Sequence, residues 1–374
     1  MKEKKPKSIL TRLIFFPLII LATALFIWID PYSINHTQTE TGDAEMMMGE
    51  VTQIVDEWEF TQLVEVEITK GELKGELLTI ENDEALVVEP RVFEPGDKVM
   101  IAHLKTAEGD YFYIAEYDRS SALFWLLAIF VAIVVLVASW QGIGSLIGLA
   151  LSFIVLFKYV LPQILSGAPP VTTAIIGSLF IIPIVFYSSH GFERKTTVAV
   201  ISTIITLIIT GILATFFASW ANLTGLASAE ASYLSFETAQ RIDFRGLVLA
   251  GLIISVLGIM NDVTISQAAI VQELKQVKRK ISFGELYLRS MRIGRDHIAS
   301  MVNTLILVYT GVSLPLLLVF LDRSKWFMEV INYEFLTEEI IRTFVGSIGL
   351  VLAIPITTLL AAALLSEKNK EKTS

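Results

Sequence analysis

The sequence predicts an α-helical polytopic membrane protein of about eight transmembrane helices, with a small extracytoplasmic all-β domain of OB-like barrel size. Three observations carry this. First, 53 % of the 374 residues are hydrophobic and mean hydropathy is +0.63, an apolar excess that soluble domains do not carry. Second, eight stretches reach the roughly 20 apolar residues that a helix needs to cross a bilayer. Third, residues 30–119 break this pattern with 22 Asp and Glu against 6 Lys and Arg, a net of −16, while the rest of the chain carries +7.

The chain opens on a basic segment, MKEKKPK, followed by the apolar run Ile9–Ile29. No Ala-x-Ala-like site follows it, so residues 1–29 read as a cytoplasmic start and an uncleaved membrane anchor rather than a removed signal peptide. Residues 30–48 are polar and read as a flexible stem. From Gly49 to residue 119 the pattern alternates with period two: GEVTQIVD, QLVEVEIT, KGELLTIEN, DKVMIAHL and YFYIAEYD, with turns at EPGD and EGD. Five short strands in so few residues suit a small barrel. Its carboxylates read as a solvated acidic surface that disfavours nucleic acid.

Residues 120–374 hold the other seven spans: Ser121–Trp140, Gly142–Leu161, Val171–Ser189, Thr196–Trp220, Gly246–Val271, Ile298–Leu321 and Thr343–Ser366. Basic residues set their orientation. With the N-terminus in the cytoplasm, the cytoplasmic side receives the basic start, Arg194 and Lys195, the basic loop 272–297 and the lysines of the tail. Both termini are then cytoplasmic and residues 30–119 extracytoplasmic. Pro183, Pro315 and Pro355 interrupt spans and suggest kinks. Ser282–Glu285, SFGE, fits a capping box that starts a basic cytoplasmic helix. Residues 221–244 suggest a short amphipathic helix on the outer surface.

Several chemistries are excluded or unsupported. Cysteine is absent, which removes disulfides, thiol catalysis and Cys-based metal sites. The four histidines, His36, His103, His190 and His297, have no metal-ligand spacing between them, so neither metal nor cofactor is expected. His-Glu-x-x-His, Gly-x-Ser-x-Gly and the P-loop are missing, and no enzyme activity is expected.

The segment GIMNDVTISQAAI, Gly258–Ile270, carries polar chemistry inside the sixth span. On a helical wheel Gly251, Ser255, Gly258, Asp262, Ser266 and Ala269 form one small-and-polar stripe, and Leu249, Ile253, Val256, Met260, Val263 and Ile270 an apolar face. This predicts that Asp262 points away from lipid, toward a neighbouring helix or a wet cavity. Asp262 lies about 24 Å below Gly246 at 1.5 Å per residue, in the cytoplasmic third. An ionised carboxylate there costs several kcal/mol unless paired or hydrated, so Asp262 is either a transport group or an interhelical hydrogen-bond anchor. Asn261, Ser266 and Gln267 flank it. His190, Asp296, His297 and Asn303 lie toward the same membrane face and form, with them, one candidate polar cluster. Asp296 also reads as a helix cap.

SSHGFERKT, GIMNDVTISQA and RIGRDHIASMVNTLILVYTGVSLPLLL, in this order after an anchor and an external β domain, resemble the YibE/F family of bacterial multispanning proteins. The resemblance implies an integral protein of the bacterial cytoplasmic membrane and supports His190, Asp262, Asp296 and Asn303 as motif positions, without assigning them a reaction. The residues favour a transporter or permease, with the bilayer and an ion or small solute as its partners. The alternative is a non-transporting membrane scaffold or sensor whose β domain binds an envelope protein and whose basic loop 272–297 relays to a cytoplasmic partner.

Overall fold

The computed structural model describes residues 45–58, 61–83, 92–106, 109–238, 241–321 and 327–366. The first predicted span, Ile9–Ile29, lies outside them. The chain divides into two compact units, with the boundary between Val137 and Ala138.

The first unit holds one antiparallel sheet of five strands: β1 (Glu45–Trp58), β2 (Thr61–Lys70), β3 (Leu77–Asp83), β4 (Lys98–Thr106) and β5 (Gly109–Tyr117), in the order β3-β2-β1-β4-β5. All five predicted strands are present. Residues 45–48, expected in the stem, belong to β1, and residues 45–50 pair with 98–103 of β4. β1 pairs with β4 along its first half and with β2 along most of its length, and its register slips at three places against β2. Such bulges bend a long strand and increase its twist. The sheet curls until β3 comes near β5. Met47, Val51, Val64, Val66, Ile68, Ile80, Phe93, Val99 and Ile101 fill the concave side, as period-two alternation requires. Gln62, itself buried, holds Phe93 through a 2.8 Å bond from the Phe93 N–H to its Oε1. Asp118 accepts from the Ser120 N–H at 2.9 Å at the start of the following helix, and the Ser120 bonds hold its carboxyl below the usual range.

The helical elements are α1 (Ser120–Val155), a π-turn at Leu156–Val160, α2 (Leu161–Leu165), α3 (Pro170–His190), α4 (Arg194–Trp220), α5 (Ala229–Glu237), α6 (Phe244–Val277), α7 (Phe283–Val312), α8 (Leu314–Leu321), α9 (Phe327–Val330) and α10 (Glu334–Ser366). Among the described residues, five helical runs are long and apolar enough to cross a membrane: α1 with its continuation to Leu165, α3, α4, α6 and α10. Two predicted spans, Ser121–Trp140 and Gly142–Leu161, fall within the first of these, with a non-helical residue, Ser139 at φ 50° and ψ −133°, next to the end of the first. The predicted span Ile298–Leu321 is divided at Ser313 into α7 and α8. Pro315 accounts for the division, since it lacks an N–H and its ring clashes with the carbonyl four residues back. The predicted basic loop 272–297 is mostly helix: α6 runs to Val277 and α7 begins at Phe283. Ser282 caps α7 by accepting from the Glu285 N–H, as SFGE predicts. The Glu285 carboxylate turns instead to Lys278 at 2.8 Å, and this bond holds its carboxyl below the usual range.

Close contacts give the helix directions. The second half of α1 runs antiparallel to α3, with Gly144 against Ser188 and Gly148 against Val185. α3 runs parallel to α6, from Pro170 beside Gly246 to His190 near Asp262. α4 runs antiparallel to α6, with Gly211 beside Ile253 and Thr203 bonded to Thr264. α10 runs parallel to α6, with Gly346 beside Val256 and Gly349 beside Met260. Small residues let backbones approach where no hydrophobic force drives helices together. On α4 the remaining surface is an apolar stripe, Ile201, Ile205, Ile208, Ile212, Phe216 and Trp220, all exposed as a lipid-facing surface would be.

A Cβ at Gly144 would collide with the Ser188 carbonyl, a backbone atom that cannot turn aside. Gly144→Ala is expected to lower the stability of the helical unit by about 1–3 kcal/mol, seen as a lower thermal midpoint in detergent. An unchanged midpoint would mean that α1 does not pack on α3 here.

Candidate functional site

The polar side chains of α6 fall into two groups, and the division is the reverse of what the wheel predicts. Leu249, Ile253, Val256, Met260 and Val263 are buried, whereas Gly251, Ser255, Gly258, Asp262 and Ser266 are exposed. Nothing lies within 4 Å of a Cβ built at Gly251 or Gly258. Of the two expected surroundings for Asp262, a neighbouring helix or a wet cavity, the packed neighbour is not found among the described residues. The apolar face packs against α4 and α10, and the small stripe lines the outside of the described bundle.

At this outer face Asn261 donates through Nδ2 to Asp262 Oδ1 at 3.5 Å. His190, at the last residue of α3, is near enough to act electrostatically on Asp262. The parallel course of α3 and α6 produces this meeting, because both helices start together at Pro170 and Gly246. A carboxylate and an imidazole on neighbouring helix ends place two titratable groups of opposite charge type on one face.

Inside the bundle lies the second group. Gln267, 2 % exposed, donates to Thr358 Oγ1 of α10 at 2.7 Å and to the Ser290 carbonyl of α7 at 3.2 Å. Thr203 and Thr264 share a 2.8 Å bond across α4 and α6. Thr264 also donates to the Met260 carbonyl at 2.9 Å, so its oxygen accepts from Thr203. Ser202, Thr206 and Thr210 are fully buried and bond back to their own helix, the usual role of mid-helix hydroxyls.

The predicted cluster is thus only partly assembled. Asp262, Asn261 and His190 come together. Ser266 shares their face, while Gln267 points inward. Asp296, His297 and Asn303 are exposed on α7. Asp296 is not a cap: α7 starts at Phe283 with Ser282 as its cap, which puts Asp296 more than three turns inside. Among the described residues, no group of three or more His, Asp and Glu is placed to hold a metal ion.

One ionisable residue escaped the sequence reading. Glu338 of α10 is 8 % exposed and its Oε1 has no hydrogen-bond partner. It sits ahead of Thr343, where the apolar run of the last predicted span begins. The one signal available was its i+4 spacing to Arg342 on a helix that starts before that run.

Interior and exterior polar groups should respond differently to substitution. Gln267→Leu removes two interhelical bonds and is expected to cost about 1–3 kcal/mol. Asp262→Asn leaves the packing intact and should cost under about 0.5 kcal/mol. Thermal unfolding of both variants in detergent measures this, and equal losses would contradict the inside–outside assignment.

Comparison with known proteins follows this geometry. Neither a curated protein nor a solved structure matches the chain. The family model described as YibE/F-like protein matches residues 126–367, which takes in the Asp262–His190 pair, the Gln267 contacts and Glu338, and leaves out the β domain. A match over most of the chain, with the motifs around His190, Asp262 and Asp296–Asn303 inside it, makes this protein a member of the YibE/F-like family.

Proposed function

We propose that the chain is a permease of the bacterial cytoplasmic membrane that moves an ion or small solute, with Asp262 as the coupling or substrate-binding carboxylate. The observation that carries this is the exposed Asp262 beside His190 on a stripe of small residues within a membrane helix. A carboxylate in hydrocarbon is expensive unless it has work to do or a polar partner. The path on this reading follows the outer face of α6 rather than the bundle centre, where Gln267 and the threonines are packed.

The reading extends to the rest of the chain. Eight spans are proposed: the five described, the anchor Ile9–Ile29, a division of the first run at Ser139, and α7 with α8 as one broken span. The sheet order β3-β2-β1-β4-β5, with β3 near β5, is the order around an OB barrel, and an OB-like domain outside the cytoplasm is proposed on that ground. Both termini are assigned to the cytoplasm because Arg194, Lys195, Lys275 and Lys278–Lys280 gather at one end of the alternating helices. The proposed role is transport and not catalysis.

In proteoliposomes with an imposed membrane potential and a pH-sensitive dye inside, the wild-type chain is expected to pass protons. Asp262→Asn should slow this at least about tenfold, a loss of roughly 1.4 kcal/mol or more of barrier lowering. Equal flux in the two proteins would remove Asp262 from the path.

A second reading is favoured by one observation, the closely packed interior. Between Val256, Ile259, Leu305, Tyr309, Gly346 and Leu350 there is only a shallow apolar crevice with no room for a water molecule and no charged group in its lining. A solid bundle suits a scaffold whose β domain holds an envelope partner. Deleting residues 45–118 would then abolish in-cell cross-linking to that partner and leave the thermal midpoint of the bundle unchanged. Flux lost on Asp262→Asn would argue against it.

A further inference from the structure

The first turns of α10 carry three carboxylates and one guanidinium: Glu334, Glu338, Glu339 and Arg342. Two of the carboxylates are engaged. Glu334 accepts from the backbone N–H groups of Thr224 and Gly225 and from the Thr224 hydroxyl at 3.0 Å, which fastens the loop after α4. Glu339 pairs with Arg342 through Nη1. Glu338 is left over. It is more than nine-tenths buried, its Oε1 accepts no hydrogen bond, and the Nε of Arg342 is also buried and unbonded.

Among the described residues the surrounding elements bring no counter-charge: the charged residues of α7 all lie between Glu285 and His297, toward its start, and α8 carries none. The ionisable residues of α4 are Arg194 and Lys195, at its opposite end. At the near end of α6, Arg245 donates to the Leu223 carbonyl at 2.6 Å and Asp243 caps Gly246. Glu329 of α9 accepts from the Tyr333 hydroxyl at 3.2 Å. The charges that act on Glu338 are those of α10 itself: Glu334 and Glu339, which repel a negative charge, and Arg342, which attracts one. Burying an ionised carboxylate without a partner costs far more than burying the neutral acid.

We propose that Glu338 is a protonation site at the end of the bundle opposite Asp262, with a proton as its ligand. The proton passes between water and the Glu338 carboxyl, and Arg342 chooses between two carboxylates. Arg342 stands three residues after Glu339 and four after Glu338, and both spacings place side chains together on a helix. With the proton on Glu338, Arg342 pairs with Glu339, the arrangement seen here. Loss of the proton leaves a buried anion that draws Arg342 to itself and releases Glu339 to water. This inference stands independently of a transport role for Asp262.

The test is infrared difference spectroscopy on the full-length protein in lipid nanodiscs. The wild type minus Glu338→Gln spectrum is expected to show a carboxylic-acid C=O band that disappears as pH rises. No such band at any pH at which the protein is folded would overturn the proposal, because Glu338 would then be permanently ionised. Glu339→Gln frees Arg342 and should make the wild-type band titrate at lower pH, by roughly one unit or a tenfold loss of proton affinity. An unmoved titration would overturn the exchange of partners. If Glu338→Gln fails to assemble, Glu338→Asp keeps a carboxylic acid at the site and carries the same two outcomes as a shifted C=O band.

Discussion

Gln267 is the contact on which the helical arrangement depends. Its amide joins α6 to Thr358 of α10 and to the Ser290 carbonyl of α7, so one side chain holds three helices in register. The bonds require close approach, and glycines permit it. Gly294 of α7 lies against Ile354 and Gln267, and Gly349 of α10 lies between Thr210 of α4 and Met260 of α6. In a bilayer, burial of apolar surface does not drive one helix onto another, since lipid is as apolar as leucine. Close packing and the few interhelical hydrogen bonds must do so instead. Thr203–Thr264 and Gln267–Thr358 supply them within about one turn of each other along α6.

The same contacts explain why Asp262 faces outward. Thr264 and Gln267 must point inward to reach α4 and α10. At 100° per residue, Asp262 is then carried round to the opposite side together with Gly258 and Ser266. α3, running parallel to α6, brings His190 to that side. The site is a by-product of satisfying the inner polar groups, and its contents are set by the residues left over on the outer face.

The strands were legible because a half-buried sheet in water sorts side chains by polarity, and GEVTQIVD or QLVEVEIT alternates accordingly. The apolar runs were legible because hydrocarbon demands them. The orientation of α6 was not. On a helix in lipid both inside and outside are apolar, so polarity does not mark the buried face. Leu249, Ile253 and Val256 are buried by fit to α4 and α10, information that is absent from one helix read alone. The charges of residues 272–297 read as a loop, yet Glu285–Arg289, paired at 2.7 Å four residues apart, belong to a helix whose polar face is wet. Glu338, ahead of the last predicted span, is unmarked for a similar reason. Its burial follows from the docking of α10 on its neighbours, and no local pattern marks it.

The two ionisable sites lie at opposite ends of the α6–α10 pair. Val256 stands beside Gly346 and Met260 beside Gly349, which places Glu338 near the level of residue 248, about 21 Å of helical rise from Asp262. Between them stand Thr210 and Thr206, each donating its proton to its own helix. Successive hydroxyls four residues apart are about 6 Å from one another, too far for a proton to hop directly. These hydroxyls form no direct relay, and what the two ends share is the helices themselves. α10 carries Glu338 and Arg342 at one end and Thr358, the partner of Gln267, toward the other. An exchange of partners by Arg342 acts on the same rigid element that positions α6, and α6 carries Asp262.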